Sequence, residues 1–140
     1  MSVLLLLSTV NFKDIIKIAD MNITDNENYK FVSILNSLDL DYGYATFWHS
    51  QSISVLSNGK IRCANVNAGE NGIEPYYYQN EKQWFGANSS KSGKYFLLLS
   101  EGEIDSLNLS TKENLFSSAL DSYTLDGYKI LVFSNNGFIF

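Results

Sequence analysis

The sequence predicts a small three-layer α/β sandwich, with a mostly parallel sheet of about four to five strands and an antiparallel C-terminal edge strand. Three observations predict it. Short apolar runs alternate with segments of helical periodicity along the chain. Residues 95–99 form an uninterrupted apolar run, which is typical of a strand buried on both faces. The length of 140 residues fits a single domain.

The first helix of the domain is predicted from Asn28, which is a suitable N-cap. An apolar stripe at helical spacing follows, formed by Phe31, Ile34, Leu35 and Leu38. Residues 40–45 then predict a short aromatic strand in which Gly43 permits close approach of a neighbouring chain.

A second helix is predicted from the N-cap Thr46 to Leu56, followed by a strand at residues 60–66. The alternation of serines between residues 50 and 54 fits a strand equally well, but the Ser-Asn-Gly sequence at 57–59 favours a helix end. Trp48 is expected to pack on the sheet as part of the core. The short connections favour a parallel crossover between the two strands.

The C-terminal half predicts a loop at residues 67–72 and a helix beginning at Ser110 or Thr111. This helix is expected to bury Leu115, Phe116, Ala119 and Leu120. A turn at residues 126–127 leads into a strand at 128–134, and residues 138–140 are expected to pair antiparallel beside that strand.

Residues 1–20 are predicted to be an apolar stub or linker, and residues 21–140 a single α/β domain. The apolar run at residues 3–7 is too short to span a bilayer. Two interpretations stay open: a buried first strand, or the end of a transmembrane helix.

The composition limits the partners of this chain. The net charge is −5 and Arg62 is the only arginine, which argues against nucleic acid because phosphate binding requires clustered Lys and Arg. A glycine-rich phosphate loop is missing, so we expect no cofactor. The single cysteine, Cys63, is expected to be a buried, inert thiol.

Candidate catalytic and metal-binding residues are few. His49 is the only histidine and a weak catalytic candidate, which could act with a carboxylate such as Asp41. A surface or structural histidine is the favoured interpretation. Glu101, Glu103 and Asp105 are weak candidates for a hard cation, because they alternate on a predicted loop after the central strand. A solvated run of charges explains them equally well.

Aromatic residues, which make up 14% of the chain, concentrate in one predicted loop. Aromatic faces beside amides are what sugar rings pack against. The candidate ligand-binding residues are therefore Tyr76, Tyr77, Tyr78, Asn80, Gln83 and Trp84. The alternative is that Trp84 and its neighbour Phe85 cover the sheet edge as part of the core.

A resemblance to a protein family rests on the run of residues 43–48, followed by 56–61, Pro75-Tyr76, Trp84-Phe85 and 95–99 in similar order and spacing. Over roughly residues 28–140, the chain resembles the extracytoplasmic C-terminal domain of bacterial multi-spanning membrane proteins related to glycosyltransferases. His49 departs from that pattern, which usually has a small polar residue there.

The resemblance implies a non-catalytic accessory domain at the outer face of the cytoplasmic membrane in a bacterial cell envelope. It also implies attachment through an N-terminal membrane span and a role in cell-surface glycan synthesis or transfer. A glycan or a lipid-linked sugar would be the partner. The alternatives are a protein-protein interaction module and, less favoured, a small hydrolase-like enzyme that uses His49.

Overall fold

The computed structural model describes residues 26–76 and 93–135. These residues form four helices and six strands. In chain order they are α1 (Glu27–Ser37), β1 (Tyr42–Ala45), α2 (Phe47–Leu56), β2 (Arg62–Gly69), β3 (Gly72–Pro75), β4 (Tyr95–Ser100), α3 (Glu101–Ser106), α4 (Leu109–Ser118), β5 (Asp121–Leu125) and β6 (Tyr128–Phe133).

The six strands form one mixed sheet in the order β3-β2-β1-β4-β6-β5. Strand β1 runs parallel to both its neighbours, β2 and β4. The pairs β2–β3, β4–β6 and β5–β6 are antiparallel. The α/β class and the parallel β1-α2-β2 unit are confirmed. The prediction of a mostly parallel sheet of four to five strands is wrong, because two hairpins extend the sheet at its edges.

The first of these hairpins, β2–β3, occupies a segment that the sequence predicted as a loop. Ala68 pairs with Ile73, and Gly69 pairs with Gly72, around a two-residue turn. Gly72 has a φ of 97°, which only glycine adopts without strain. Asn and Gly supply four of the six residues at positions 67–72, so the strand propensity of this stretch is weak.

The second hairpin, β5–β6, begins where the sequence predicted the end of a helix. Helix α4 ends at Ser118, and the backbone N–H of Leu120 donates to Val132 O at 2.7 Å, beginning the strand pairing. The predicted turn at Asp126 and Gly127 is confirmed, with φ values of 49° and 80°. This is the geometry that suits a two-residue hairpin.

Strand β6 therefore has a neighbour on each side. It pairs with β4 along its whole length and with β5 along most of it. In the described sheet the antiparallel neighbours of β6 are β4 and β5, whereas the sequence predicted residues 138–140 beside it. Residues 138–140 themselves lie outside the described residues.

Helices cover both faces of the sheet, as the three-layer prediction requires. One core packs α1 and α2 on the strand residues Ala45, Cys63, Phe96, Leu98, Ile130 and Val132. The other core packs α3 and α4 on Tyr42, Tyr44, Ala64, Val66, Tyr95, Leu97, Leu99, Leu131 and Phe133. Alternate side chains of β1, β2, β4 and β6 thus enter opposite cores.

The centre of the sheet depends on a close contact between β1 and β4. A Cβ atom added at Gly43 would overlap the ring and carbonyl oxygen of Phe96, its partner in the register. The predicted role of Gly43 in a close approach is confirmed. Cys63 is buried as predicted, and burial raises the pKa of its thiol. Its thiol is therefore a poor nucleophile.

Within residues 26–76 and 93–135, no helix has the length and apolar character needed to cross a membrane. The apolar run at residues 3–7 lies outside the described residues.

Candidate functional site

Helix α2 turns a serine-rich face toward the protein interior. Its fully buried side chains are Ser50 and Ile53, and Ser57 is buried directly after its last turn. Serines are poor substitutes for apolar residues in a helix-sheet contact unless their hydroxyls are hydrogen-bonded. The partners of these hydroxyls therefore explain the orientation of α2.

Two serines bond to the beginning of β2, at an edge that no strand among residues 26–76 and 93–135 covers. Ser54 Oγ accepts from Cys63 N at 3.1 Å, and Ser57 Oγ accepts from Ile61 N at 3.0 Å. Strand β3 pairs with β2 only from Val66 onward, so it does not reach these backbone groups. The hydroxyls thus satisfy buried amides that would otherwise cost about 1–3 kcal/mol each.

The opposite face of α2 carries two exposed apolar side chains. Trp48 is 79% exposed and Val55 is 72% exposed. Gln51 and Ser52 lie between them at helical spacing, and these four residues are called the outer stripe below. The prediction that Trp48 belongs to the core is wrong. With Ile53 and the serines facing inward, a helix of 3.6 residues per turn places Trp48 and Val55 outward.

An open groove of about 270 Å³ adjoins the second half of the outer stripe. It is lined by Asn26, Gln51, Ser52, Val55 and Leu56. None of these five side chains carries a charge. Trp48 lies at the other end of the stripe, with its ring edge-on to Phe47 at 5.3 Å between centroids. The outer stripe therefore has the Trp48 ring at one end and an uncharged groove at the other.

His49 lies beside the outer stripe and faces α1. Its Nδ1 is 2.9 Å from Asn28 Oδ1, and because an amide oxygen only accepts, Nδ1 carries the proton in this arrangement. Its Nε2 is 3.8 Å from Glu27 Oε1, too long for a hydrogen bond. The ring packs edge-on against Phe31 and Tyr128.

Tyr128, the first residue of β6, belongs to the same cluster, because its ring contacts both His49 and Phe31. Its hydroxyl donates to Glu27 Oε1 at 3.3 Å. Partial burial, the Glu27 carboxylate and, more weakly, the charge of Glu103 raise the pKa of Tyr128. The cluster therefore ties the first turn of α1 to both α2 and β6.

The carboxylate suggested as a partner of His49 lies elsewhere. Asp41 precedes β1, whereas His49 follows it, and Asp41 lines a separate groove of about 180 Å³ with Asp39 and Lys60. The contacts of His49 are with Asn28, Glu27 and two aromatic rings instead. The arrangement suits a structural histidine better than a general base.

The acidic candidates lie on helix α3, not on the predicted loop. Ser100 and Glu103 form a capping box: Ser100 Oγ accepts from Glu103 N, and Glu103 Oε2 accepts from Ser100 N at 2.8 Å. Glu101 and Asp105 are exposed. Within the described ranges, no group of three His, Cys, Asp or Glu side chains is placed to hold a metal ion. The capping-box pattern Ser-x-x-Glu was the signal for this helix.

The predicted aromatic site is described at one residue only. Tyr76 is half-buried, and its backbone N–H donates to Asn65 O at 3.0 Å. The other candidates, Tyr77, Tyr78, Asn80, Gln83 and Trp84, lie outside the described residues. The sequence did not predict the outer stripe, although the spaced serines at 50, 54 and 57 were the signal for an inward polar face.

Comparisons with known proteins add no relative: no family model matches the chain, and no curated protein or solved structure matches it.

Proposed function

We propose that this chain is a non-catalytic binding domain and that the outer stripe of α2 is its contact surface. One observation carries the proposal: Trp48 and Val55 are exposed on a helix whose serine face is buried. Exposed apolar area costs about 25 cal/mol per Å² relative to burial. Tryptophan is among the residues that contribute most to binding interfaces. A binding role for the stripe accounts for that exposure.

The wider setting of this proposal comes from the family resemblance. In that setting the domain is extracytoplasmic, belongs to a bacterial membrane protein that builds or transfers cell-surface glycans, and contacts a glycan or lipid-linked sugar. The chemistry of the outer stripe is compatible with such a ligand, because an aromatic face stands beside the amide of Gln51 and the hydroxyl of Ser52. Residues 76–84 are the second proposed contact for the sugar.

An enzymatic role for His49 is the weaker proposal. The ring is held by Asn28 and packed between Phe31 and Tyr128. Catalysis by nucleophile and base requires a nucleophile within hydrogen-bond reach of the histidine. The contacts described for His49 include no serine, threonine or cysteine side chain. Its geometry favours the binding role of the domain.

A saturation-transfer NMR screen of glycans on the purified chain tests the proposal. Trp48→Ala and Trp84→Ala separate the two proposed contacts, and Leu109→Ser removes an equally exposed apolar side chain on α4 as the matched control. A glycan signal that arises at the outer stripe should be lost in Trp48→Ala and retained in Leu109→Ser. Binding that survives Trp48→Ala unchanged, for every ligand found, would contradict the assignment of the outer stripe.

A further inference from the structure

We propose that the partner of the outer stripe is a second copy of this chain, joined through α2 about a two-fold axis. This inference rests on the proposed function, in which the outer stripe is a binding surface. A two-fold interface requires a surface that is complementary to itself. Three features of α2 meet that requirement: its shape, its charge and its central residues.

The outer stripe has a projecting side chain at one end and a groove at the other. Trp48 projects from the first turn, and the groove of about 270 Å³ lies around Val55. Seven residues separate the two positions, which corresponds to about 10 Å along a helix axis. An antiparallel crossing of two α2 helices therefore places each Trp48 over the groove of the other copy. An apolar cavity of about 150 Å³ accepts a benzene ring, so this groove has room for an indole.

The charge of α2 permits two copies to meet. The chain carries a net charge of −5, so most of its surface repels a second copy. Helix α2 is the only described helix without Lys, Arg, Asp or Glu. His49 on α2 and Glu27 on α1 are the titratable groups described beside the stripe, and His49 Nε2 lies 3.8 Å from Glu27 Oε1.

Helix α4 shows why exposure alone does not select a partner. It also leaves the apolar side chains of Leu109 and Phe116 in solvent, and Leu120 is exposed just beyond its C-terminal end. However, Glu113 lies between Leu109 and Phe116 on the same side of the helix. A two-fold axis through that stripe would bring two Glu113 carboxylates together. Among the described helices, only α2 has exposed apolar side chains and no Lys, Arg, Asp or Glu.

The centre of the proposed interface falls between Gln51 and Ser52, midway between Trp48 and Val55. The small side chain of Ser52 permits close approach of the two helices. Its hydroxyl donates to Trp48 O within the same helix at 3.0 Å, so the proposal leaves no polar group of Ser52 without a partner. Standard interfaces bury about 800 Å² per partner. Two apolar side chains supply only the core of such an area, so we expect a weak, concentration-dependent dimer.

Sedimentation of the full chain over a range of concentrations tests this inference. We expect a monomer-dimer equilibrium whose dissociation constant rises at least tenfold in Trp48→Ala. Leu109→Ser, which alters the other apolar stripe, should leave the dissociation constant unchanged.

A charge-swap experiment tests the two-fold axis itself. Ser52→Asp and Ser52→Lys should each be monomeric, because position 52 of one copy meets position 52 of the other. Their equimolar mixture should associate again. This restoration cannot come from unfolded protein, so the experiment remains decisive even where one variant is less stable.

Three results would overturn the inference: a full chain that is monomeric at every concentration, a dimer that is insensitive to Trp48→Ala, or a Ser52 mixture that fails to associate. A monomer whose Trp48 resonances shift with a glycan would reject the dimer and leave the proposed function standing. A monomer in which the outer stripe responds to no ligand would contradict both.

Discussion

Helices α1 and α2 pack side by side on the same face of the sheet, but they attach to it by different means. Helix α1 buries four apolar side chains: Phe31, Val32, Ile34 and Leu35. Helix α2 buries Ile53 and a set of serines, and its largest apolar side chain points to solvent. The first helix is held by apolar burial and the second mainly by hydroxyl contacts to a strand edge. The second is thereby free to present an apolar surface.

The largest expected difference between the two helices concerns their apolar side chains. Leu35→Ala in α1 should lower the free energy of unfolding by about 2–5 kcal/mol, because Leu35 is fully buried. Val55→Ala in α2 should change it by no more than about 0.5 kcal/mol, because Val55 is mostly exposed. Urea denaturation of both variants measures the difference. Equal losses would show that α2 is packed like α1.

The hydroxyls of Ser57 and Ser52 should differ in how much they contribute to the free energy of unfolding. Ser57→Ala leaves the buried N–H of Ile61 without its hydroxyl partner and should cost about 1–3 kcal/mol. Ser52→Ala is the matched control, because the Ser52 hydroxyl bonds only within the helix and should contribute less than about 0.5 kcal/mol. Denaturant midpoints again give the values. If Ser57→Ala is as stable as Ser52→Ala, the hydrogen bond from Ile61 N to Ser57 Oγ does not stabilise the fold.

The contact between α1 and α2 at His49 should contribute less to the free energy of unfolding than the buried side chains do. His49→Ala removes the hydrogen bond to Asn28 and the edge-on contact with Phe31, and should cost about 1 kcal/mol. A double-mutant cycle with Asn28→Ala measures the coupling, with Gln51→Ala as a control on the outer stripe. If the effects of His49→Ala and Asn28→Ala simply add, the hydrogen bond does not join the helices.

The smallest expected effect is a dependence of stability on alkaline pH that arises from Tyr128. Burial and the Glu27 carboxylate raise the pKa of Tyr128, so the native state holds the phenol proton more tightly than the unfolded chain does. The stability contributed by this group is complete below the ordinary tyrosine pKa and is lost as pH rises above about 10.

Tyr128→Phe should therefore reduce the loss of stability above about pH 10 and leave the pH dependence near neutrality unchanged. Denaturation at a series of alkaline pH values measures this, with Tyr29→Phe at an exposed position of α1 as the control. An unchanged alkaline slope in Tyr128→Phe would show that neither burial nor the Glu27 carboxylate raises the pKa of Tyr128 in the native state.

The sequence predicted the parts of the fold whose side chains follow a simple period. Helix α1, with its apolar spacing, and β4, with its continuous apolar run, were predicted within two residues of their ends. The predicted N-cap Asn28 proved to donate its backbone N–H to the actual N-cap, Asn26.

The remaining elements depend on partners distant in the chain, which periodicity cannot reveal. The orientation of α2 follows from the amides of Ile61 and Cys63, at the beginning of β2, to which its serines bond. Strand β5 forms because β6 offers it an edge, although its own residues carry few apolar side chains. The outer stripe was missed for the same reason: an exposed tryptophan in a small domain looks like a core residue until the buried face of its helix is known.

The central claim is that α2 holds Trp48 in solvent, and acrylamide quenching of Trp48 fluorescence tests it most directly. A Trp84→Phe background leaves Trp48 as the only tryptophan, and dilute protein keeps the chain monomeric. We predict quenching that approaches that of a free tryptophan derivative in water, because Trp48 is 79% exposed. Strong protection of Trp48 in the dilute monomer would contradict the account, because it would mean that the chain itself covers the outer stripe.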